Sequence, residues 1–559
     1  MKEIIFEVTK LEWERIFLKL DIKTAYTGKV RFRLESIGKF HRNREKEIID
    51  IDVKKKVPLK YESYENGTYH LEINIVAADK RTFLENGRWR IMAVTPHAEF
   101  MVYVSYPVAY KLDDCSRIFR YGGGKYAYNM SFSTRTEDEE HLWFMINSYF
   151  MIRNQGWSKR HYVQEALTFK GKFRRMHRTI VIFLINLFYQ FWEPLFPKRG
   201  KNILIMSETK DYLWGNLKYI DRRIKERGLN KKFRVRYNFR KAVGTHMSAL
   251  SWMKLVFKIA QQDYIFVDDY VPVFGFLELN KRTKLIQVWH AGEGFKAVGY
   301  CRFGKEGTPF PVGNCHKKYN YVLTGSQKLV KVFSEVFGIE EEAFLPVGMP
   351  RLDGFLDKKK IATFKKEFYT ENPNLKNKKI IMFAPTYRGK GQGSAYYDYS
   401  WIDLDEIYDF CGDEYIFMVK MHPFTKKPIE IPEEYMDRII DFSEYPNIND
   451  LYYVTDILIT DYSSNYFEYS LLRRPVIFFT PDREIYELSR GVHRSVKESA
   501  PGPVCDTFEE MMDVLRKKDY QIEKIHQFVK DNFANYDGHA TDRAINTILL
   551  KQKLNDEKR

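Results

Sequence analysis

The chain has no CxxC pair and no disulfide framework. Its five cysteines, Cys115, Cys301, Cys315, Cys411 and Cys505, are scattered and odd in number. That argues against a stapled scaffold and a structural zinc site, and it predicts a reducing, cytoplasmic compartment. No run reaches the roughly 20 apolar residues a bilayer crossing needs. The opening MKEIIFEVTKLEWERIF carries charges throughout and does not read as a signal peptide. The fingerprints GxGxxG and GxxxxGK[ST] are both missing, which removes the two best-known phosphate loops. No repeat of roughly 20–50 residues and no low-complexity tract is evident.

What is present is a long, globular, basic chain. Its 559 residues predict roughly two to four domains. Hydrophobic residues make up 44% and charged residues 30%, which rules out disorder. Lys plus Arg number 91 against 74 Asp plus Glu, a net charge of +17. Such a balance suits nucleic acid, phosphate polymers or acidic lipid. The aromatics fall mainly inside apolar runs, not on an exposed basic stacking platform, so nucleic acid is disfavoured.

The texture changes along the chain. Residues 1–165 are predicted to be a β-rich, sandwich-like domain, because KVRFRLESI, EIIDIDVKKKVPL, TYHLEINIVAA and EFMVYVSYPVAY alternate apolar and polar residues. Residues 166–199 read as a linker helix. Its apolar stretch TIVIFLINLFYQFW, Thr179 to Trp192, is flanked by KFRRMHR and PKRGK. Two readings stand: a helix buried between domains, or one lying on an anionic membrane surface. Residues 200–370 and 371–559 each show short apolar runs ending in polar or Gly residues, some separated by amphipathic stretches. This predicts two Rossmann-like α/β domains with a site in the cleft between them.

In open α/β sheets, ligands bind beyond the carboxyl ends of the strands. The candidate strand ends are Trp289-His290, Thr386-Tyr387-Arg388, His422-Pro423 and Asp461-Tyr462-Ser463-Ser464. Ser463 and Ser464 fall where a helix should start, so their hydroxyls and N–H groups suit a phosphate; ordinary N-capping is the alternative. Arg388 suits neutralising a diphosphate and Thr386 suits a hydrogen bond to it, against a solvated loop Arg. His290 and His422 suit proton transfer near pH 7, against a structural His. Lys296 lies about one turn after His290 and suits phosphate charge. Glu468 suits two ribose hydroxyls, against a surface Glu near a helix N-terminus. No metal cluster is visible; a loosely held Mg2+ would leave little signature.

Taken together, SETKDYLWGNLKYI, QVWHAGEGFKAVG, VGMPRLDGF, IMFAPTYRG, VKMHPF, DILITDYSSNYFEYSLLRRPVIFF and YDGHATDRA resemble the CDP-glycerol:poly(glycerophosphate) glycerophosphotransferase family, including its CDP-ribitol-using relatives. The pieces occur in the family's order over roughly 340 residues, Lys201 to Ala540. More weakly, KLEWERIFLKL is similar to an opening found in some ribitol-type and capsule-type members. The resemblance implies a GT-B-like architecture, with the C-terminal domain binding the CDP-polyol and the N-terminal one presenting the acceptor. It implies attack of a polyol hydroxyl on the donor's β-phosphorus and release of CMP. By motif position, His290 looks like the family's base and His422 like its second histidine. Thr386, Arg388, Ser463 and Ser464 look like diphosphate contacts within the Asp461–Ser464 donor site, and Glu468 like a ribose contact. It further implies CDP-glycerol or CDP-ribitol as donor, a lipid-linked polyol-phosphate acceptor and a peripheral place on the cytoplasmic membrane face. One loop departs from the family pattern: WHAGEGFK stands where WHGTPLK is expected, so the loop's shape and charge differ while His290 and Lys296 keep their spacing. Two other readings share parts of this pattern. One is a GT-B glycosyltransferase using a nucleotide sugar. The other is a non-enzymatic scaffold for anionic polymer or membrane.

Overall fold

The computed structural model describes residues 4–42, 48–121, 126–135, 141–152, 169–241, 247–290, 292, 298–302, 314–389, 394–489, 492–533 and 536–552. Lys296 lies outside the described residues.

Eleven strands between Phe6 and Ile152 pair into one hydrogen-bonded sheet. The alternation seen in the sequence is the reason: along Thr68–Asn74, every second side chain is buried. Asn66 and Gly67, both at positive φ, join Tyr61–Glu65 to Thr68–Asn74, as an Asn-Gly hairpin turn should. Phe6–Glu14 and Phe17–Thr24 form another hairpin, whose two-residue tip begins with Arg15 at φ 59°.

The next element is the helix Phe169–Trp192. Tyr189 and Asn186 fix it to the body that follows. The Tyr189 hydroxyl accepts from the Asn280 N–H (3.0 Å) and the Asn186 amide donates to the Phe276 carbonyl (2.9 Å). Its other face is apolar and open: Phe183 is 64% exposed and Phe191 65%. The buried-helix reading therefore holds for one face only. Among the described residues, no helix is long and apolar enough to cross a membrane.

Two six-stranded parallel sheets follow. In chain order the first contains Asn202–Ser207, Arg234–Phe239, Tyr264–Val267, Lys284–Gln287, Tyr321–Leu323 and Phe344–Leu345, arranged 2-1-3-4-5-6. The second contains Lys379–Phe383, Tyr415–Val419, Ile439–Asp441, Ile457–Thr460, Val476–Phe479 and Val504–Cys505, arranged 3-2-1-4-5-6. Their central strands are almost wholly buried, as both-side-covered parallel strands must be. In the second sheet the chain order reverses between Lys379–Phe383 and Ile457–Thr460, and a crevice opens at such a switch point. Thr386 and Asp461 both sit just past those strand ends.

Candidate active site

A cavity of about 260 Å3 lies between the two parallel sheets. From the first come Trp289, His290 and Gly292; from the second, Thr386, His422, Tyr462, Ser463, Ser464 and His493. Residues that end separate strands in the sequence thus line one cavity.

The first side is built on a strained turn. Trp289 has φ 39°, a left-handed conformation that costs a non-glycine residue about 1–3 kcal/mol. Neighbours hold it there. The Trp289 N–H donates to the Gln287 side-chain oxygen (2.9 Å), and the buried Asn216 amide donates to the carbonyls of Val288 (2.8 Å) and Trp289. His290 follows. Its Nδ1 lies 3.1 Å from the Asp268 carbonyl and 3.6 Å from an Asp269 carboxylate oxygen. The carbonyl can only accept, so Nδ1 carries the proton and Nε2 keeps its lone pair. Burial pushes the Asp268 carboxyl up from its ordinary value.

His422 has the opposite arrangement. The Phe424 backbone N–H donates to its Nδ1 (3.1 Å), so the neutral ring carries its proton on Nε2. Tyr387 and Phe424 pack against the ring, with centroids 4.7 and 4.8 Å away. One histidine is thus set as a proton acceptor and the other as a donor.

The serine turn is not an ordinary cap. Ser464 occupies the N-cap of the helix Asn465–Ser470, but its side chain makes no capping bond. Among the described residues, Ser463 Oγ accepts only a long contact from the Asn465 N–H, at 3.4 Å. The helix is six residues long, so hydroxyls and turn N–H groups outweigh any long dipole. Thr386 is 1% exposed, its Oγ1 has no hydrogen-bond partner among the described residues, and it lines the cavity. A buried hydroxyl without a partner calls for one.

Three side chains expected at the donor, Arg388, Asp461 and Glu468, are engaged by protein groups. Arg388 does not reach the cavity as an open diphosphate clamp. Its Nε and Nη2 donate to Asp482 (2.7 and 2.8 Å) and its Nη1 to Asp461 (2.8 Å). The guanidinium also faces the rings of Tyr397, Trp401, Tyr462 and Tyr486. Burial opposes its charge, yet the Asp461 and Asp482 carboxylates outweigh burial and raise it above its ordinary value. Asp461 likewise points inward, accepting from the Thr386 N–H (2.8 Å). This pair shapes the turn behind Thr386 and Tyr462. Glu468 is buried and paired with Arg351, not open to a ribose.

Sequence reasoning missed Asp269, Asn216 and His493. Asp269 was readable, since YIFVDDY ends a strand beside the switch point of the first sheet; the other two carry no local signal.

A model of the CDP-glycerol:poly(glycerophosphate) glycerophosphotransferase family matches residues 187–550. The teichoic acid poly(ribitol-phosphate) polymerase of Bacillus spizizenii is 36% identical over 380 residues, covering 68% of this chain and 60% of that protein. The teichoic acid ribitol-phosphate polymerase TarK of Staphylococcus aureus is 33% identical over 370 residues, 66% of this chain and 72% of that protein. The chain thus spans less than two thirds of the Bacillus polymerase's length. The structure of the wall teichoic acid polymerase TagF superposes with a TM-score of 0.51 at 24% identity, covering 68% of this chain and 96% of that one. That likeness concerns the fold and supports a GT-B-like arrangement of the two α/β units.

Proposed function

The chain belongs to the CDP-glycerol:poly(glycerophosphate) glycerophosphotransferase family, and from that premise we propose that it transfers a polyol phosphate from a CDP-polyol to a polyol hydroxyl of a teichoic-acid-type polymer. CDP-ribitol is the favoured donor, because ribitol-phosphate polymerases match over more of the chain and at higher identity than the glycerol-phosphate primase of Bacillus subtilis, at 31% over 303 residues. The observation that carries the reading is the cavity itself. It sets a proton-accepting His290 opposite a proton-donating His422, beside the orphaned Thr386 hydroxyl and two uncapped serines.

The chemistry follows from those groups. An acceptor hydroxyl gives its proton to His290 Nε2 as its oxygen bonds to the donor's β-phosphorus. The phosphorus–oxygen bond to CMP breaks, and CMP leaves with the bonding pair. His422 Nε2–H, Thr386, Ser463 and Ser464 donate to the phosphate oxygens where charge develops. Phosphoryl transfer needs this positioning and charge neutralisation more than covalent catalysis. Lys296 is assigned to the same phosphates on position in the motif. The residue 200–370 unit presents the acceptor and the residue 371–559 unit holds the donor.

The acceptor is lipid-linked, and the chain works peripherally at the cytoplasmic membrane face. The open apolar face of Phe169–Trp192, a wholly apolar groove of about 700 Å3 between it and Ala249–Ala260, and the +17 charge support that placement.

The test uses radiolabelled CDP-ribitol, CDP-glycerol and UDP-sugars with a lipid-linked polyol-phosphate acceptor. Label entering the acceptor with CMP release is expected from CDP-ribitol. His290→Ala should lower kcat by roughly 10^2- to 10^4-fold while sparing donor binding. Transfer only from a nucleotide sugar, or full turnover in that variant, would sink the assignment.

A further inference from the structure

One buried cluster touches the cavity and has no part in the mechanism above. His493 lines the cavity, and its Nε2 is engaged by a Glu335 carboxylate oxygen, at 2.7 Å. Both side chains are buried. Glu335 sits on the helix Lys328–Phe337, in the first α/β unit. Its two oxygens also accept from Arg15, with contacts of 2.8, 3.0 and 3.0 Å through Nε and Nη2. Arg15 is the hairpin-tip residue held at φ 59° in the β region. A non-glycine residue in the left-handed region is worth a structural reason. The turn delivers its guanidinium to a buried carboxylate that holds a cavity histidine. Three separate parts of the chain therefore meet at one imidazole.

Cys301 completes the cluster, and its thiol, Glu335 and His493 lie close enough to share a metal ion. Charge argues against that reading. Arg15 already neutralises Glu335 across both oxygens, and burial pushes the Cys301 thiol up, so it stays protonated. What the arrangement does fix is the histidine. A carboxylate accepts only, so Nε2 carries the proton and Nδ1 is left as an acceptor. No bond to Nδ1 is formed among the described residues. Burial, the largest influence, lowers the ring's pKa from its ordinary value, which keeps this neutral form.

We propose that His493 is a further substrate-contacting residue of the cavity, its Nδ1 accepting a hydrogen bond from a polyol hydroxyl. In the same proposal Glu335 and Arg15 are its positioning residues, so that the β region forms part of the active site. The proposal rests on the polyol-phosphate transfer reading. The hydroxyl belongs either to the donor's polyol or to the acceptor's, and the kinetics separate the two.

The experiment compares the full-length wild type with His493→Ala, His493→Asn, Arg15→Met and the double variant Arg15→Met/His493→Ala. Lys331→Ala serves as the control; it breaks the ion pair with Glu72 at the same β-region boundary without reaching the cavity. Loss of one hydrogen bond predicts that His493→Ala raises one KM roughly tenfold and changes kcat less. A raised donor KM assigns the hydroxyl to the donor, and a raised acceptor KM to the acceptor. His493→Asn, which keeps a polar atom near the Nδ1 position, is expected to recover part of the loss. Arg15→Met should raise the same KM. The double variant should be no worse than His493→Ala, because Arg15 acts through His493. Additive losses, or an unchanged KM in folded His493→Ala, would overturn the proposal. So would stoichiometric Zn2+ binding that Cys301→Ser abolishes. Where Arg15→Met folds poorly, Arg15→Met/Glu335→Gln removes both charges together. Failure of the underlying reading shows up separately, as no CMP from the wild type with either CDP-polyol. The proposal is then judged by heat protection. His493→Ala should lose protection either by CDP-ribitol or by a soluble polyol-phosphate acceptor while keeping protection by CMP, and protection unchanged with both polyol ligands overturns it.

Discussion

The two catalytic candidates differ in what the surrounding backbone offers the same ring nitrogen, Nδ1. A carbonyl takes Nδ1–H of His290, and an N–H takes the Nδ1 lone pair of His422. Sequence position located both residues, because each ends an apolar run. It could not assign their proton states, which depend on Asp268 and on the turn after Pro423. The same limit explains Arg388 and Glu468. Both stand where a donor-binding group belongs, but their partners, Asp482 and Arg351, are distant in the chain, and a charged loop residue carries no mark of what it will meet. Two substitutions separate contact from support. Thr386→Val removes a buried hydroxyl that lacks a partner among the described residues, so the unliganded melting temperature should hold or rise slightly. Calorimetric titration should show CDP-ribitol affinity falling roughly tenfold; equal affinity would mean that the hydroxyl meets no ligand. Arg388→Ala leaves Asp461 and Asp482 without their countercharge, and is expected to cost about 3–5 kcal/mol in denaturant unfolding. Wild-type stability with weakened donor binding would restore it as a direct contact.

At the scale of elements, legibility followed length and pattern. The five longer strands of the second sheet announce themselves as apolar runs, whereas Val504–Cys505 and Phe344–Leu345 are two residues each and carry no period to detect. In the β region, several strands with mixed faces, such as Arg117–Tyr121, also escaped. The helix Phe169–Trp192 was visible as an apolar stretch, but which face docks depends on Asn280 and Phe276, far along the chain. That division makes a clean test. Phe183→Ser, Leu184→Gln and Phe191→Ser together alter only exposed positions. They should leave the melting temperature unchanged and reduce binding to phosphatidylglycerol vesicles by more than tenfold, since full insertion of each apolar side chain is worth roughly 2 kcal/mol. Phe188 packs against the core and would confuse the result with unfolding. Retained vesicle binding by the triple variant would remove this face as the membrane contact.

At the scale of the whole molecule, the β region is fastened to the first α/β unit rather than strung from it. Tyr300 of that unit is fully buried within the β-region core. Lys317 Nζ donates to the carbonyls of Val76 (2.5 Å) and Gly338 (2.6 Å), bridging the two. Arg81–Glu340 and Lys331–Glu72 pair across the same boundary. Deleting residues 1–165 should therefore expose Tyr300 and strip Lys317 of one acceptor, lowering the melting temperature by several degrees or producing aggregate on gel filtration. An α/β unit that melts like the full chain would show the boundary to be incidental. None of this coupling is readable in one sequence, because it runs between segments more than 200 residues apart.

The open face of the Phe169–Trp192 helix belongs to the same body that carries His290. A transferase resting on a bilayer by that face meets a lipid-linked acceptor by lateral diffusion. Its turnover then follows the acceptor's mole fraction in the leaflet, and inert lipid slows it even when the bulk concentration of acceptor is held fixed.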